Sequence, residues 1–282
     1  MKLARLYLFF MLFVMSWSDV ASQIVSNVTH EGVIDADSVR KDFDNRPYFG
    51  LYKDNYIAFG TAIGECPTAK NSNVKFQISF AQRLTKSTLP WNTYLYLFYS
   101  QKCFWNVLEK SMPMTDINFN PGVGIGKPLF VRNRFIGELK LMAEHESNGK
   151  DGDNSRSWNK ISLAANIIVD PHLIVHGKTW IPIVDGRHNK DILDYCGIFQ
   201  VGISLKSTNG KLGISTLLTK RRGWDLNYNV LFELSYRFNN KQNQYFFLQY
   251  YNGYGEGLLE YNKHHSQLRA GIVIKPNLFS DF

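Results

Sequence analysis

Hydrophobic and polar residues alternate one for one over long stretches of this chain. Val74, Phe76, Ile78 and Phe80 interleave with Lys75, Gln77 and Ser79, and Tyr228, Val230, Phe232, Leu234, Tyr236 and Phe238 interleave with Asn229, Glu233, Ser235 and Arg237. Successive side chains of an extended strand point to opposite faces, so a period of two predicts strands with one apolar and one polar wall. Looser alternation marks Tyr94–Trp105 and the segments 135–147, 158–169, 173–183, 198–206, 211–219, 244–251 and 268–274. With shorter candidates at 48–52 and 56–63, the pattern predicts about twelve antiparallel strands. Turn-forming pairs fall between them: Asp170-Pro171, Asp185-Gly186, Asn209-Gly210 and Asn239-Asn240.

Alternation alone leaves a soluble β-sandwich open, and composition moves the reading toward a membrane barrel. Aromatic residues make up 15% of the chain, yet its mean hydropathy is −0.24. A polar average built from aromatic-rich alternating segments suits an all-β transmembrane barrel, whose lumen is polar and whose lipid face carries aromatic girdles. The chain also opens with Lys2 and Arg5, an apolar run over 6–17 and the small residues Val20-Ala21-Ser22, the layout of a secretory signal peptide cleaved after Ser22. The expected organisation is a signal peptide over 1–22, a polar periplasmic tail over 23–47 that tucks inside or lies across the barrel, and a barrel domain over 48–282. The terminal Phe282 resembles an outer-membrane assembly signal.

Charge adds little. The net charge is +8, but lysines and arginines are dispersed along an exported chain, so anionic lipid headgroups are the expected counterpart and nucleic acid is not. Cys66, Cys103 and Cys196 have no metal-binding or redox spacing and receive no function.

The chemistry concentrates between His145 and Asn159. Leu139, Leu141 and Ala143 share strand parity with His145 and Ser147, while Glu138, Lys140 and Glu144 take the other face. On the next strand, Asn159 shares parity with Ile161, Leu163, Ala165, Ile167 and Val169. If the apolar face meets lipid, these three polar residues sit on the outer wall, where polar groups are costly without a function. His145 can take a proton from Ser147 and Asn159 can orient the imidazole, the logic of a nucleophile, base and orienter. The turn Lys150 to Ser155 offers carbonyls, Asp151, Asp153, Asn154 and a hydroxyl, oxygen donors of the type calcium takes, although the spacing is not that of an EF-hand.

His145-Glu-Ser-Asn-Gly149 and Ser155-Arg-Ser-Trp-Asn159, with the interval between them, resemble the active-site block of the outer membrane phospholipase A family. These are calcium-dependent lipid hydrolases of Gram-negative outer membranes. Ser100-Gln-Lys102, Trp105, Ser111-Met-Pro113, Asn118-Phe-Asn-Pro121 and Gly253-Tyr-Gly-Glu256 resemble further blocks of that family, so the resemblance spans nearly all of the expected mature chain. It implies a twelve-stranded barrel with Ser147 as nucleophile, His145 as general base and Asn159 as orienter. It also implies an oxyanion contact from the Gly149 amide, and calcium held by the Ser155 side chain and the Lys150 carbonyl, with Ser111 contributed by a second subunit. Gln101 is expected at the dimer contact. The implied activity is hydrolysis of acyl esters of phospholipids and lysophospholipids (phospholipase A1/A2 and lysophospholipase), by a homodimer when active and a monomer when resting. The rival class is a non-catalytic porin or adhesin barrel. The chain departs from the family pattern in three places: Lys150 stands where an arginine is usual, Gly152, between Asp151 and Asp153, stands where an acidic residue is usual, and the loop before Ser111 differs in length by about two residues.

Overall fold

The computed structural model describes residues 40–276 apart from 42, 133, 185–187 and 240–241. The expected signal peptide over 1–22, most of the tail over 23–47 and the terminal Phe282 lie outside the described residues.

Twelve antiparallel strands form the wall: β1 (Asn55–Ala62), β2 (Ser72–Arg83), β3 (Tyr94–Trp105), β4 (Met114–Val131), β5 (Arg134–Ser147), β6 (Ser157–Asp170), β7 (Leu173–Val184), β8 (Phe199–Lys206), β9 (Leu212–Lys220), β10 (Tyr228–Arg237), β11 (Gln244–Gly253) and β12 (His265–Ile274). Each pairs with its sequence neighbour, and β12 closes on β1 from Gln267 opposite Ala62 to Ile274 opposite Asn55. Closure removes every sheet edge, which a spanning sheet requires because lipid offers no hydrogen-bond partners.

Alternation puts apolar side chains outside and polar ones inside. Ile57, Phe59, Ile125, Leu141, Leu163 and Ile203 are exposed on the wall, whereas Lys75, Glu138, Lys140, Glu144, Glu233, Gln249 and Arg269 are buried in the lumen. Inside, Lys178 pairs with Glu144 at 2.8 Å, and Arg269 pairs with Glu256 at 2.6 Å. Residues from Phe43 to Asp54 enter one mouth, where Phe43 and Tyr52 pack on Tyr94, Tyr96, Phe98 and Met142. Trp158, Trp180, Ile192, Leu258 and Tyr261 pack together toward the other mouth. A central cavity of about 210 Å³ lies between charged and amide side chains, and cavities of about 950 and 430 Å³ open toward the two mouths, so side chains narrow the lumen at its middle.

The strand count agrees with the alternation for a reason the pattern does not contain. The candidate at 48–52 supplies only Phe49 and Gly50, which pair with Gln82 and Ala81 beyond the start of β1 and do not cross the wall. In its place stands β4, the longest strand, which its glycines and prolines disguise as loop. Gly122, Gly124 and Gly126 face the rings of Phe98, Tyr96 and Tyr94; a Cβ at any of them would lie within 2.7 Å of a ring atom. The small positions make room for an inward aromatic stack on β3, so they mark close packing rather than a turn.

Candidate active site

His145 is on β5 and Asn159 lies directly opposite on β6. Both side chains are exposed on the outer wall, with His145 Nδ1 and Asn159 Oδ1 2.9 Å apart. An amide oxygen only accepts, so this contact places the proton on Nδ1 and leaves Nε2 as a free acceptor. Ser147, half-buried, is two residues further along the same face, paired with Ser157 on one side and Phe119 on the other. No hydrogen bond joins the described Ser147 hydroxyl to the imidazole.

The intervening inward residues anchor this corner. Glu146 accepts from Trp158 Nε1 at 3.0 Å and from Lys160 Nζ at 2.9 Å. Neither group touches the outer trio, so they hold the strands from within.

Beyond Ser147, the loop over 148–156 is organised by the buried Asn148. Its Nδ2 donates to the Asn154 carbonyl (2.9 Å), and its Oδ1 accepts from the Arg156 amide (2.9 Å) and the Lys150 amide (3.4 Å). Gly149 has φ +63°, and a Cβ there would lie 2.9 Å from the Phe119 ring. Glycine is needed for both backbone conformation and contact. On the far side of β6, Asn189 donates to the Ser157 carbonyl at 3.1 Å and accepts from its amide at 3.2 Å. Alternation did not reveal the supporting residues Asn148, Phe119 and Asn189, because their work is loop bracing and close contact.

The oxygen donors of the loop divide into two sets. Arg156 donates to the carbonyls of Asp153 (2.7 Å) and Ser155 (2.8 Å), and the Asn154 carbonyl is taken by Asn148. Among the described residues, nothing donates to the Lys150 carbonyl or to the Ser155 hydroxyl. The Lys150 ammonium reaches the Thr115 carbonyl at 2.8 Å, tying the loop to the start of β4. Ser111 is exposed on the neighbouring loop over 106–113. No cluster of three carboxylate, imidazole or thiol groups suited to a metal occurs among the described residues. The oxygens that the loop's own hydrogen bonds leave open are the Lys150 carbonyl and the Ser155 hydroxyl, with the exposed carboxylates of Asp151 and Asp153 beside them, fewer than the six to eight oxygens that calcium takes. The donors are hard oxygens, the type calcium takes, and so fit that ion in kind.

Gln101 lies on the outward face of β3. Its amide is engaged locally, accepting from Tyr99 at 2.7 Å and donating to Cys103 at 3.3 Å. The His145 wall is apolar around it: Leu139, Leu141, Ile161 and Leu163 are exposed beside Val123 and Ile125 of β4.

The same residue types also meet inside the lumen. His176 sits 2.7 Å from Asn166 and 3.0 Å from Ser204. The cavities beside them are about 20 and 60 Å³, too small for a lipid. Access to the membrane therefore distinguishes the outer trio.

Burial pushes the Cys196 thiol, near the lumen mouth, up to about 12, with Glu146 adding to the effect. Burial thus disfavours the reactive thiolate of Cys196, and none of the cysteines joins the site.

The family model described as Phospholipase A1 matches residues 47–274. Phospholipase A1 of Proteus vulgaris is 29% identical over 252 residues, covering 83% of this chain and 84% of that protein. Phospholipase A1 of Escherichia coli K12 is 29% identical over 213 residues, covering 73% and 71%. Among solved structures, outer membrane phospholipase A from Escherichia coli superimposes with TM-score 0.71 at 25% identity, covering 82% of this chain and 99% of that one. The calcium-bound dimer of outer membrane phospholipase from Salmonella typhi has the same fold, with TM-score 0.71 at 23% identity, covering 87% and 99%. A closed twelve-strand barrel with a lipid-facing polar trio, matched over most of its length by these enzymes, identifies the chain as a member of the Phospholipase A1 family of the Gram-negative outer membrane.

Proposed function

We propose that the chain is a calcium-dependent phospholipase A, activated by dimerisation, that cleaves acyl esters of phospholipids and lysophospholipids with Ser147, His145 and Asn159. The carrying observation is the 2.9 Å contact between His145 and Asn159 on the lipid-facing wall, with Ser147 in the same outward row. Asn159 holds Nδ1–H, so Nε2 is free to take the Ser147 proton as Oγ attacks the ester carbonyl. The same proton then passes to the leaving alkoxide, and water resolves the acyl-serine by the reverse use of His145. A neutral Asn orients the ring but stabilises an imidazolium less than a carboxylate does.

The Gly149 amide is the proposed oxyanion donor. Calcium is assigned to the Lys150 carbonyl and Ser155 side chain, completed by Ser111 of a second copy; when bound it supplies positive charge beside the developing oxyanion. Short turns of outer-membrane barrels face the periplasm and long loops face outward. The short connections after β4 and β6 support a reading in which the loop over 148–156 lies at the extracellular leaflet. Acyl chains lie along Leu139, Leu141 and Leu163 against a second barrel, so a monomer holds half of each element. The proposed chain layout is a signal peptide over 1–22, a periplasmic tail over 23–47 and the barrel domain over 48–282.

The test is fatty-acid release from phospholipid–detergent micelles by refolded protein, with and without calcium, beside Ser147→Ala. Release that needs calcium and falls by about 10³-fold or more in the variant supports the reading. Calcium-independent release would remove the metal assignment. Unchanged release by the variant would remove the nucleophile, and no release by a folded dimer would leave the non-catalytic porin or adhesin barrel.

A further inference from the structure

The strand beside the proposed triad carries a proline where a sheet needs an N–H. Along β4 and β5 the register runs from Phe119 opposite Ser147 to Gly122 opposite Glu144. Continuity places Asn120 opposite Glu146 and Pro121 opposite His145, yet neither of these two pairs is formed. On its other edge β4 is paired without a break through the same residues, with Tyr99 opposite Pro121 and Ser100 opposite Asn120. The interruption is therefore confined to the His145 side.

Its cause is covalent. In an antiparallel ladder, alternate residue pairs exchange two N–H to carbonyl bonds. The Pro121 and His145 pair is one of these, and proline has no hydrogen to give. Losing that single bond removes both missing pairs, because each depends on donation from residue 121 to the His145 carbonyl. That carbonyl belongs to the peptide linking His145 to Glu146, midway between the proposed base and the proposed nucleophile. A backbone acceptor left unpaired there costs free energy and leaves the peptide plane loose.

The vacancy in the ladder is filled from the lumen. Asn120, inward-facing and buried, donates from Nδ2 to the His145 carbonyl at 3.0 Å. We infer that Asn120 is a positioning residue for catalysis: its side-chain amide replaces the ladder bond that Pro121 cannot make, and so fixes the peptide from which His145 and Ser147 project. This rests on the triad assigned above. Asn120 faces away from the lipid wall and acts only through the strand it holds.

The arrangement makes a specific exchange possible. Removing the amide leaves the His145 carbonyl without a donor, and replacing Pro121 by alanine returns a main-chain N–H to the same carbonyl. The variants are Asn120→Ala and Asn120→Asp, which removes the donor at nearly constant size, each made with Pro121 and with Pro121→Ala. All are assayed for kcat and KM in phospholipid–detergent micelles at saturating calcium, with folding checked by the heat-dependent electrophoretic shift of the barrel. With Pro121 present, both variants are expected to fold and to lose about 10²-fold in kcat with KM little changed, the scale for a small misplacement of reacting groups. With Pro121→Ala, the same substitutions are expected to lose about tenfold less, a coupling read from the double-mutant cycle.

Equal losses in both backgrounds would overturn the inference, as would a change in KM alone, wild-type kcat in both variants, or failure of both to fold. Ser147→Ala in the same assay separates the two readings. If it retains activity the triad assignment is wrong; if it is inactive while Asn120→Ala keeps full kcat, only the role of Asn120 falls.

Discussion

Replacing Glu256 by glutamine removes one buried negative charge from a loop that folds into the lumen while keeping the shape of the side chain. Glu256 stands in the loop after β11, 3% exposed, and accepts from Lys75 Nζ at 3.0 Å and from Arg269 at 2.6 and 3.3 Å. Lys75 also donates to Gln249 at 2.8 Å, Gln249 to Glu233 at 2.8 Å, and Arg269 to Asn73 at 3.0 Å. One carboxylate thus ties the loop to β2, β10, β11 and β12. In the glutamine variant, Lys75 and Arg269, with side chains 4% and 1% exposed, face no ion-pair partner at that position. Removing one member of a buried pair costs ~3–5 kcal/mol. The pH dependence has a defined sign. Burial alone would raise the Glu256 carboxyl, but Arg269 and Lys75 more than reverse this and hold it well below the usual carboxylate range. A depressed folded value contributes stability that is fully present above the unfolded value of ~4.3, and the contribution is lost at about 1.4 kcal/mol per pH unit below it. Urea unfolding of the refolded barrel in micelles, followed by tryptophan fluorescence at about pH 8 and about pH 3, measures both effects. The expected loss is ~3–5 kcal/mol at the higher pH and at least about 1 kcal/mol less at the lower. A loss under about 1 kcal/mol at pH 8, the scale of an exposed pair, or equal losses at both pH values would refute the reasoning.

Asn159→Ala should lower kcat less than Ser147→Ala, since Asn159 orients rather than reacts; equal losses in micelle kinetics would assign it a direct role. Gly149→Ala forces a Cβ toward Phe119 at φ +63°. It should displace the proposed oxyanion amide and cost about 10²-fold or more in kcat, and unchanged kcat would remove that amide from the mechanism. Leu141→Lys places a charge on a wall position that is 51% exposed; a cost of ~2–4 kcal/mol in bilayer unfolding is expected if this side chain meets the hydrocarbon midplane, and none if it faces water. A thiol reagent near pH 8 should label the exposed Cys66 and spare the buried Cys103 until the barrel is unfolded. Rapid labelling of Cys103 in the folded state would contradict its enclosure.

The outer trio was legible because a strand's period of two is independent of its neighbours. Counting back from Asn159 through Ile161 and Leu163, and from Ser147 through Ala143 and Leu141, puts all three residues on one apolar wall. That His145 and Asn159 stand opposite each other depends on the interstrand register, which the turn over 148–156 sets. The bracing of that turn was not legible. Asn148 works through four polar contacts within its own loop, and Lys150 contributes a side-chain tether to Thr115 as well as a free carbonyl. A residue type gives no account of which carbonyls its neighbours leave available.

The sequence by itself determined the two walls of the barrel, because alternation assigns each side chain to lipid or lumen without reference to any distant residue. It also determined the chemical cluster around His145, through residue types placed close together in the chain. Tertiary structure alone decided that the glycine- and proline-rich Met114–Val131 is a strand, since its small positions make sense only against Tyr94, Tyr96 and Phe98 of the neighbouring strand. The same holds for the charges of the lumen, where Lys75 and Arg269, far apart in sequence, share the Glu256 carboxylate only after the barrel closes. Patterns within a strand are local, whereas charge pairing and close packing are properties of pairs that the closed sheet brings together.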